Sequence, residues 1–401
     1  MEYIDLTTYL NDIMKRFYPI GVEEDGGVTR LGYTREEDLM HEEFVRIAKE
    51  EGYLVETDEV GNTFISIKNY DEYYLIGSHL DSVINGGRYD GVIGVAVGLI
   101  LLKLIEEDNL DIPLKVAAFR CEESSNFMKS TLGSGLITGE SYDFDSLVSQ
   151  KGKKLSEIFQ NRGLNEKPEL IKGIKAYLEL HIEQGRILEN KDLKIGIVDA
   201  IAGNIRLKAR IKGLAEHSGA TPMSLRKDAL CAAGEIITAI ESIGKNYKSG
   251  TAVTTVGMIG NYPNSVNVIP GEVEFSVDIR DKSTKSMYDI KVEIEELIEE
   301  VCNRRCLSYD IKLVSNADSV VLDENLRRDL SKAAKDLGIN HIIMSSGAGH
   351  DAMKFTKLTK AGLIFIPCND GISHNPEEYA EIEDAVCGAM IILEYLKEAA
   401  K

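Results

Sequence analysis

Five of the seven histidines in this 401-residue chain stand in short blocks of glycines and acids: His79, His181, His217, His350 and His374. The densest block reads Gly77-Ser78-His79-Leu80-Asp81-Ser82, followed by Asn85-Gly86-Gly87-Arg88-Tyr89-Asp90-Gly91. Downstream come Cys121-Glu122-Glu123, Glu179-Leu180-His181-Ile182-Glu183-Gln184-Gly185 and Ile372-Ser373-His374-Asn375. Imidazoles and carboxylates are the donors that zinc, manganese, cobalt and nickel accept. Two such cations about 3.5–4 Å apart need a bridging carboxylate, and Asp90, beside Gly91 at a predicted helix start, is placed for it. Asp81, two residues from His79, can accept the second ring N–H of that imidazole and fix its tautomer. Glu122 and Glu123 are adjacent, so their side chains diverge. One can bind metal while the other faces the bound water as general base; spacing does not say which. A single His-x-Asp or Glu-Glu is ordinary structure. Five such blocks together point to a two-metal hydrolase.

The elements that must position these residues follow from hydrophobic periodicity. Thr34-Arg35-Glu36-Glu37 reads as a capping box opening a helix with apolar Leu39, Met40, Phe44, Ile47 and Ala48. Strands are predicted at Tyr53–Thr57, Thr63–Lys68, Tyr73–Ile76, Leu114–Phe119 and Ala176–Ile182, with a helix at Gly91–Glu107. The C-terminal stretch alternates again: helix Asn325–Leu337, strand His341–Met344, helix Ala352–Lys357, strand Leu363–Pro367 and helix Ile382–Ala399. This alternation implies an α/β fold with a mostly parallel sheet. In such sheets functional groups gather beyond the carboxyl ends of strands, where every block lies. The middle differs. Strands Ile205–Ile211, Thr251–Ile259, Glu272–Ile279 and Ser308–Val314, with helices Leu225–Ile243 and Thr284–Cys302, make a ferredoxin-like βαββαβ unit. The expected division is a dimetal catalytic domain, 1–203 and 318–401, with 204–317 inserted. His41 reads as helix surface and His341 as a strand edge.

Composition narrows the classes. A 43% hydrophobic content supports real cores, so the chain is neither disordered nor fibrous. Lys+Arg 46 against Asp+Glu 66 gives −20, which argues against nucleic acid or an anionic membrane as partner. A carboxylate substrate would need local cations to override that field. Six cysteines without a compact framework read as reduced thiols. Cys302-x3-Cys306 is a poor metal motif, since both residues fall on a charged helix. The start Met1-Glu2-Tyr3-Ile4-Asp5 lacks a signal-peptide pattern, and the apolar run Val92–Leu104 is too short to span a bilayer. A cytoplasmic location is the expectation.

The blocks resemble the M20-type metallopeptidase superfamily, above all its amidase (hydantoinase/carbamoylase) branch: N-carbamoyl-L-amino-acid hydrolases, β-ureidopropionases and allantoate amidohydrolases. Besides the blocks above, the likeness takes in Arg30-Leu31-Gly32-Tyr33-Thr34, Asp58-Glu59-Val60-Gly61-Asn62, Thr131-Leu132-Gly133-Ser134 and His217-Ser218-Gly219-Ala220-Thr221-Pro222-Met223. It continues through Arg226-Lys227-Asp228-Ala229, Asn264 to Pro270, Asp278-Ile279-Arg280-Asp281, Ser346 to Asp351 and Ile372 to Pro376. His181 discriminates, because the peptidase and aminoacylase branches usually carry an acid there.

The resemblance implies two divalent ions per subunit, zinc foremost, with manganese, cobalt or nickel as alternatives. One would be held by His79, Asp90 and His181, the other by Asp90, Glu123 and His374. Glu122 matches the general base. The inserted domain matches a lid and dimerisation domain, implying a homodimer. From it His217 would stabilise the oxyanion, while Asn267 and Arg280 bind substrate, Arg280 clamping a carboxylate. Gln184 and the Gly347-Ala348-Gly349 backbone would complete the pocket. Where the family usually reads Glu-Glu-Gly-x-Arg-Phe, this chain has Glu122-Glu123-Ser124-Ser125-Asn126-Phe127, so substrate choice near this loop is open. The expected reaction is cleavage of a linear amide C–N bond in a small carboxylate-bearing molecule, such as an N-carbamoyl amino acid or allantoate. A peptidase or N-acyl amino acid deacylase is the enzyme alternative. A non-catalytic binding homologue should have lost ligands or the base, and none is missing.

Overall fold

The computed structural model describes residues 3–401, with side chains from Leu6 onward. The chain forms two compact units, Met1–Asp199 with Leu322–Lys401, and Ala200–Val321. In chain order the strands are β1 (Leu54–Thr57), β2 (Thr63–Ser66), β3 (Tyr73–His79), β4 (Leu114–Phe119), β5 (Ile174–Ile182), β6 (Ile195–Ile201) and β7 (Gly203–Lys212). Then come β8 (Val253–Thr255), β9 (Ile259–Tyr262), β10 (Glu272–Asp281), β11 (Ser308–Ala317), β12 (Val320–Val321), β13 (His341–Ser346) and β14 (Lys360–Ile366).

In the first unit the sheet runs β1-β2-β4-β3-β5-β14-β6, with β13 also on β6. The expectation of a mostly parallel sheet needs correcting, because the sheet is mixed. β4, β3, β5 and β14 run parallel to one another. The pairs β1–β2, β2–β4 and β14–β6 are antiparallel. The short turn at residues 58–62 can join β1 to β2 only as an antiparallel hairpin. The central strands β3 and β4 are buried along their whole length, as strands covered on both faces must be.

Side chains alternate across β5. Leu178, Leu180 and Ile182 enter the large apolar cluster with the helices Tyr3–Phe17, Val92–Glu107 and Ile382–Ala399. Tyr177 faces the other way, stacked on Phe355 with ring centroids 4.1 Å apart. Glu179 and His181 share that second face by the two-residue period. Register puts His79 opposite Phe119 and His181 opposite Phe365, so four strand ends finish at one level.

Two local expectations change. Thr34 makes no side-chain cap, and Glu37 turns inward to accept the backbone N–H of Tyr33 at 2.6 Å and of Cys121 at 2.8 Å. His41, one helical turn on, is buried rather than surface, with Nδ1 2.9 Å from Thr63 Oγ1. Both residues belong to the inward face of the helix Arg35–Glu50 with Met40 and Phe44.

The second unit orders its strands β11-β7-β10-β8, with β9 also on β10, all antiparallel. With helices Ala229–Asn246 and Thr284–Arg304, this is the ferredoxin-like arrangement. Ile205, Leu207, Ala209 and Ile211 of β7 and Val273, Phe275, Val277 and Ile279 of β10 pack with those helices. The intervening side chains pair as ions, for instance Lys208 with Glu274 and Arg210 with Glu274. The strand expected at Thr251–Ile259 is broken into β8 and β9. Thr255 pairs with Asp278 and Ile259 with Phe275, so three residues (256–258) oppose two (276–277). That extra residue is a β-bulge, centred on Gly257. Cys302 and Cys306 do not share a helix, since the helix ends at Arg304; all six cysteines are free thiols. Among the described residues no helix is long and apolar enough to cross a membrane.

Candidate metal centre

His79 is the last residue of β3 and lies closer to the sheet than a strand ending at Ile76 would place it. His181 is the last residue but one of β5, just before Ile182. The other donors come from loops beyond strand ends: Glu123 after β4, His374 after β14, and Asp90 just before the helix Val92–Glu107.

Asp90 owes its position to Gly91. That glycine has φ 67° and ψ −50°, and the N–H of Val92 reaches the carbonyl of Asp90 at 2.7 Å. This is a γ-turn of the strained hand, which a side chain at residue 91 would oppose. A Cβ there would also lie 2.5 Å from the His79 ring.

Two sets of donors converge, each with its ligand atoms within 4.8 Å of one another: His79, Asp90 and His181, and Asp90, Glu123 and His374. Asp90 faces both. Its Oδ1 lies 3.0 Å from His181 Nε2 and 3.4 Å from His79 Nε2, and its Oδ2 lies 3.3 Å from His374 Nε2. Glu123 Oε1 is 3.1 Å from the same His374 nitrogen. The Nδ1 atoms of His79 and His181 sit 3.1 and 2.9 Å from the carbonyl oxygens of Asp81 and Ile182. Those contacts make Nδ1 the N–H and aim the Nε2 lone pairs at the carboxylates. The N–H of Gly91 also points at His181 Nε2, at 3.2 Å, a contact that a lone pair accepts. Lone pairs facing carboxylate oxygens repel unless positive charge lies between them. The donor set therefore fits divalent cations.

The same charges shape the acid–base behaviour. Burial pushes the His79 imidazole down, but hydrogen bonds to Asp81 and Asp90 override it and raise its pKa well above the usual histidine value. His181 is likewise raised against burial, by the charge of Asp90. His374 is pushed up to about 11 by hydrogen bonds to Asp90 and Glu123. Asp90 is held well below the usual carboxylate range, the His181 charge outweighing burial. Glu122 is different. Burial drives its carboxyl well above the ordinary value, against the charge of His79 and with the help of Glu123 and Asp351. Its Oε2 is 4.0 Å from His79 Nε2, and it belongs to neither donor set.

Asp81 is fully buried beneath the two glutamates. Its Oδ1 accepts the N–H of Glu122 at 2.9 Å and its Oδ2 that of Glu123 at 3.0 Å. The ring nitrogen Nδ1 of His79 is 3.4 Å from its Oδ1. Asp81 thus orients both the imidazole and the Glu122-Glu123 turn, which also needs the left-handed conformation of Cys121 at φ 53°. Gln184, at φ 56°, donates from Nε2 to Asp90 Oδ2 at 2.7 Å, while its Oε1 is buried without a hydrogen bond. Gly347 and Gly349 are exposed in the loop after β13. In that loop His350 packs edge-on to His181, with centroids 4.6 Å apart, and its Nε2 is 3.0 Å from Ser346 Oγ. It buttresses a donor.

His217, Asn267 and Arg280 belong to the second unit. His217 and Val268 form a β-bridge, and the N–H of Ser218 donates to the carbonyl of Asn267 at 3.0 Å, so the two loops are stitched together. His217 is exposed, and its Nδ1 accepts N–H groups from Gly219 and Ala220 at 3.1 and 3.2 Å. Its Nε2 is therefore the N–H donor. Arg280 Nε is 3.1 Å from Asp278 Oδ2. Asn126, where a family arginine was expected, is buried. It donates to the carbonyl of Gly32 at 2.7 Å and accepts the N–H of Gln150 at 3.2 Å, which spends it on holding the loop.

Sequence reasoning reads Glu37 only as part of a capping box and passes over Glu378. Both are buried carboxylates that accept backbone N–H groups from segments far away in the chain. The only signal was an acid set in apolar helical spacing for Glu37, and the doubled acid of Glu377-Glu378 for the other.

A model of the family described as peptidase family M20/M25/M40 matches residues 75–398. An N-carbamoyl-L-amino-acid amidohydrolase of Pseudomonas sp. is 39% identical over 392 residues, covering 94% of each chain. An allantoate amidohydrolase of Bacillus subtilis is 33% identical over 412 residues, covering 100% of this chain and 99% of its own. Among solved structures, an amidase of the hydantoinase/carbamoylase family from Burkholderia multivorans superimposes with a TM-score of 0.90. It is 31% identical, with 98% of both chains covered.

Proposed function

From the premise that the chain belongs to peptidase family M20/M25/M40 and is a hydrolase of its amidohydrolase type, we propose a two-metal enzyme for small linear amides. Its substrate would carry a carboxylate, as an N-carbamoyl amino acid or allantoate does. The observation that supports this most is the sharing of Asp90 between two donor sets, with Glu122 left beside them unligated.

His79, Asp90 and His181 would hold one ion, and Asp90, Glu123 and His374 the other. Two divalent cations there would polarise the scissile carbonyl and lower the pKa of a water. Glu122 would take the proton of the attacking water and pass it to the leaving nitrogen. Its burial keeps its proton affinity high enough for both halves of that task. Asp81 holds the backbone from which Glu122 projects. His217, with Nε2–H as its free donor, is suited to the oxyanion of the tetrahedral intermediate, a contribution of order 10²–10³ in rate. Asn267 and Arg280 would bind the substrate, Arg280 through the fork geometry that a carboxylate fits. Gln184 and the backbone around Gly349 would complete the pocket.

The reading includes a homodimer formed through the second unit. Its strands β8, β9 and β11 carry exposed Val253, Ile259, Tyr262, Leu313 and Val314, more apolar surface than a solitary sheet margin usually shows. Sedimentation as a monomer at micromolar concentration would remove this part.

The decisive experiment is a substrate panel on purified protein, with and without chelator: N-carbamoyl-α- and β-amino acids, allantoate, ureidoglycolate, N-acetyl amino acids and dipeptides. Chelator-sensitive release of ammonia from a carbamoyl or ureido substrate is expected. Activity confined to the N-acetyl amino acids or dipeptides would replace this reading with a deacylase or peptidase.

A further inference from the structure

We propose that Glu378 is a positioning residue of this centre, fastening Asp90 to the loop that carries His374. The inference rests on the two-ion reading above. Glu378 is 1% exposed, yet it pairs with no cation at salt-bridge distance among the described residues. Its Oε1 accepts two successive backbone N–H groups, from Tyr89 at 2.8 Å and Asp90 at 3.1 Å. Its Oε2 is 2.9 Å from Ser373 Oγ, and that hydroxyl is 3.0 Å from Asp90 Oδ2. One side chain thus grips Asp90 at its backbone and also meets Ser373, whose single hydroxyl proton is shared between the Glu378 and Asp90 carboxylates.

The grip spans two segments. Asp90 and Glu378 are 288 residues apart in the chain, and Ser373 immediately precedes His374. Gly87 makes room for the contact, because a Cβ at that position would lie 2.0 Å from Glu378 Cδ. Any other residue at 87 would push the carboxyl away. The donor set Asp90, Glu123 and His374 is the one that spans the two segments, so that set depends on the bridge. His79, Asp90 and His181 are anchored by strand ends on one side and depend on it less. Acids that orient ligands in this way change metal affinity by about 10–100-fold when removed.

The test is a titration of metal-free, full-length protein with cobalt, read by d–d absorption and by metal analysis after gel filtration. Wild type should bind two ions per chain. Glu378→Ala should keep one at near wild-type affinity and bind the second about 10–100-fold more weakly. Glu378→Gln should stay close to wild type. Its carbonyl can accept both N–H groups, and its amide can donate to Ser373, leaving the serine proton for Asp90. Ser373→Ala should weaken the second ion by less than Glu378→Ala does.

Two tight ions in Glu378→Ala would overturn the proposal, as would a Glu378→Gln protein no better than the alanine variant. A Glu378→Ala chain that fails to fold without metal would also overturn it, by assigning the residue to the fold instead. Wild type that binds no cobalt would be a separate failure, that of the two-ion reading itself.

Discussion

Gly91→Ala puts the geometry of the centre at risk through a single methyl group. The new Cβ would stand 2.5 Å from Cε1 and Nε2 of His79 and 2.6 Å from its Cδ2. Carbon contacts settle at about 3.5–4.0 Å, so ring and residue 91 must part by roughly 1 Å. The backbone cannot absorb this cheaply. At φ 67° and ψ −50° a residue with a side chain carries strain of about 1–3 kcal/mol. Moving the ring also breaks the approach of His79 Nε2 to Asp90 Oδ1, now 3.4 Å. A displacement of about 1 Å at reacting groups costs about 10²-fold in rate. The variant should therefore lose about 1–3 kcal/mol in urea unfolding of the metal-free protein, lose the ion assigned to His79, and turn over roughly 10²-fold or more slowly. Gly234→Ala is the control, since a Cβ there meets nothing within 4 Å on the helix Ala229–Asn246; it should be neutral or stabilising. A Gly91→Ala enzyme with both ions and wild-type kcat would refute the reasoning.

Glu122→Gln should keep both ions by metal analysis and lose about 10²–10⁴-fold in kcat; a near wild-type kcat would take Glu122 out of the base role. Arg280→Ala should lower kcat/KM for carboxylate substrates by roughly 10–100-fold, the worth of a charged hydrogen bond of about 1.5–3 kcal/mol. The neutral amides of the same substrates should be spared, and equal losses would remove the clamp. Metal binding should depend on pH with a definite sign. His79, His181 and His374 have pKa values raised above the ordinary histidine value, that of His374 to about 11, so the metal-free centre holds protons more tightly than free imidazoles do. These protons stabilise the metal-free fold below the unfolded histidine value of about 6.5, and that stabilisation is lost as pH rises through the raised values. Zinc must displace them, so calorimetry in buffers of different ionisation heat should show proton release, with affinity rising from about pH 6 to 8. Binding without proton release would contradict the charge assignment.

What could be read from the chain before its fold was the chemistry carried by regular elements. Strand ends advertise themselves where apolar spacing gives way to glycines and polar residues, as at Gly77-Ser78-His79 and at Glu183-Gln184-Gly185 just beyond His181. Strand order is different. That β14 enters beside β5 and pairs antiparallel with β6 depends on which edge is free after the chain leaves and returns, and periodicity carries no trace of it. Helix faces were legible only as apolar stripes, so Glu37 passed for a cap and His41 for surface. Both lie on the buried stripe because backbone donors and Thr63 satisfy them from other segments.

The acids that do the positioning share one property that hides this part of their role from the sequence. Asp81, Glu37 and Glu378 bind backbone N–H groups, which every residue but proline possesses, so no residue type at the other end marks the pairing. Asp81, Asp90, Glu122, Glu123 and Glu378 are all buried, and among the two donor sets the cation-forming groups are His79, His181 and His374. Carboxylates withdrawn from water resist sharing a small volume unless positive charge joins them. Protons on the imidazoles meet part of that demand in the metal-free protein, and divalent ions meet it better because each answers two charges at once. The network that orients the ligands is thus also what makes the site call for cations.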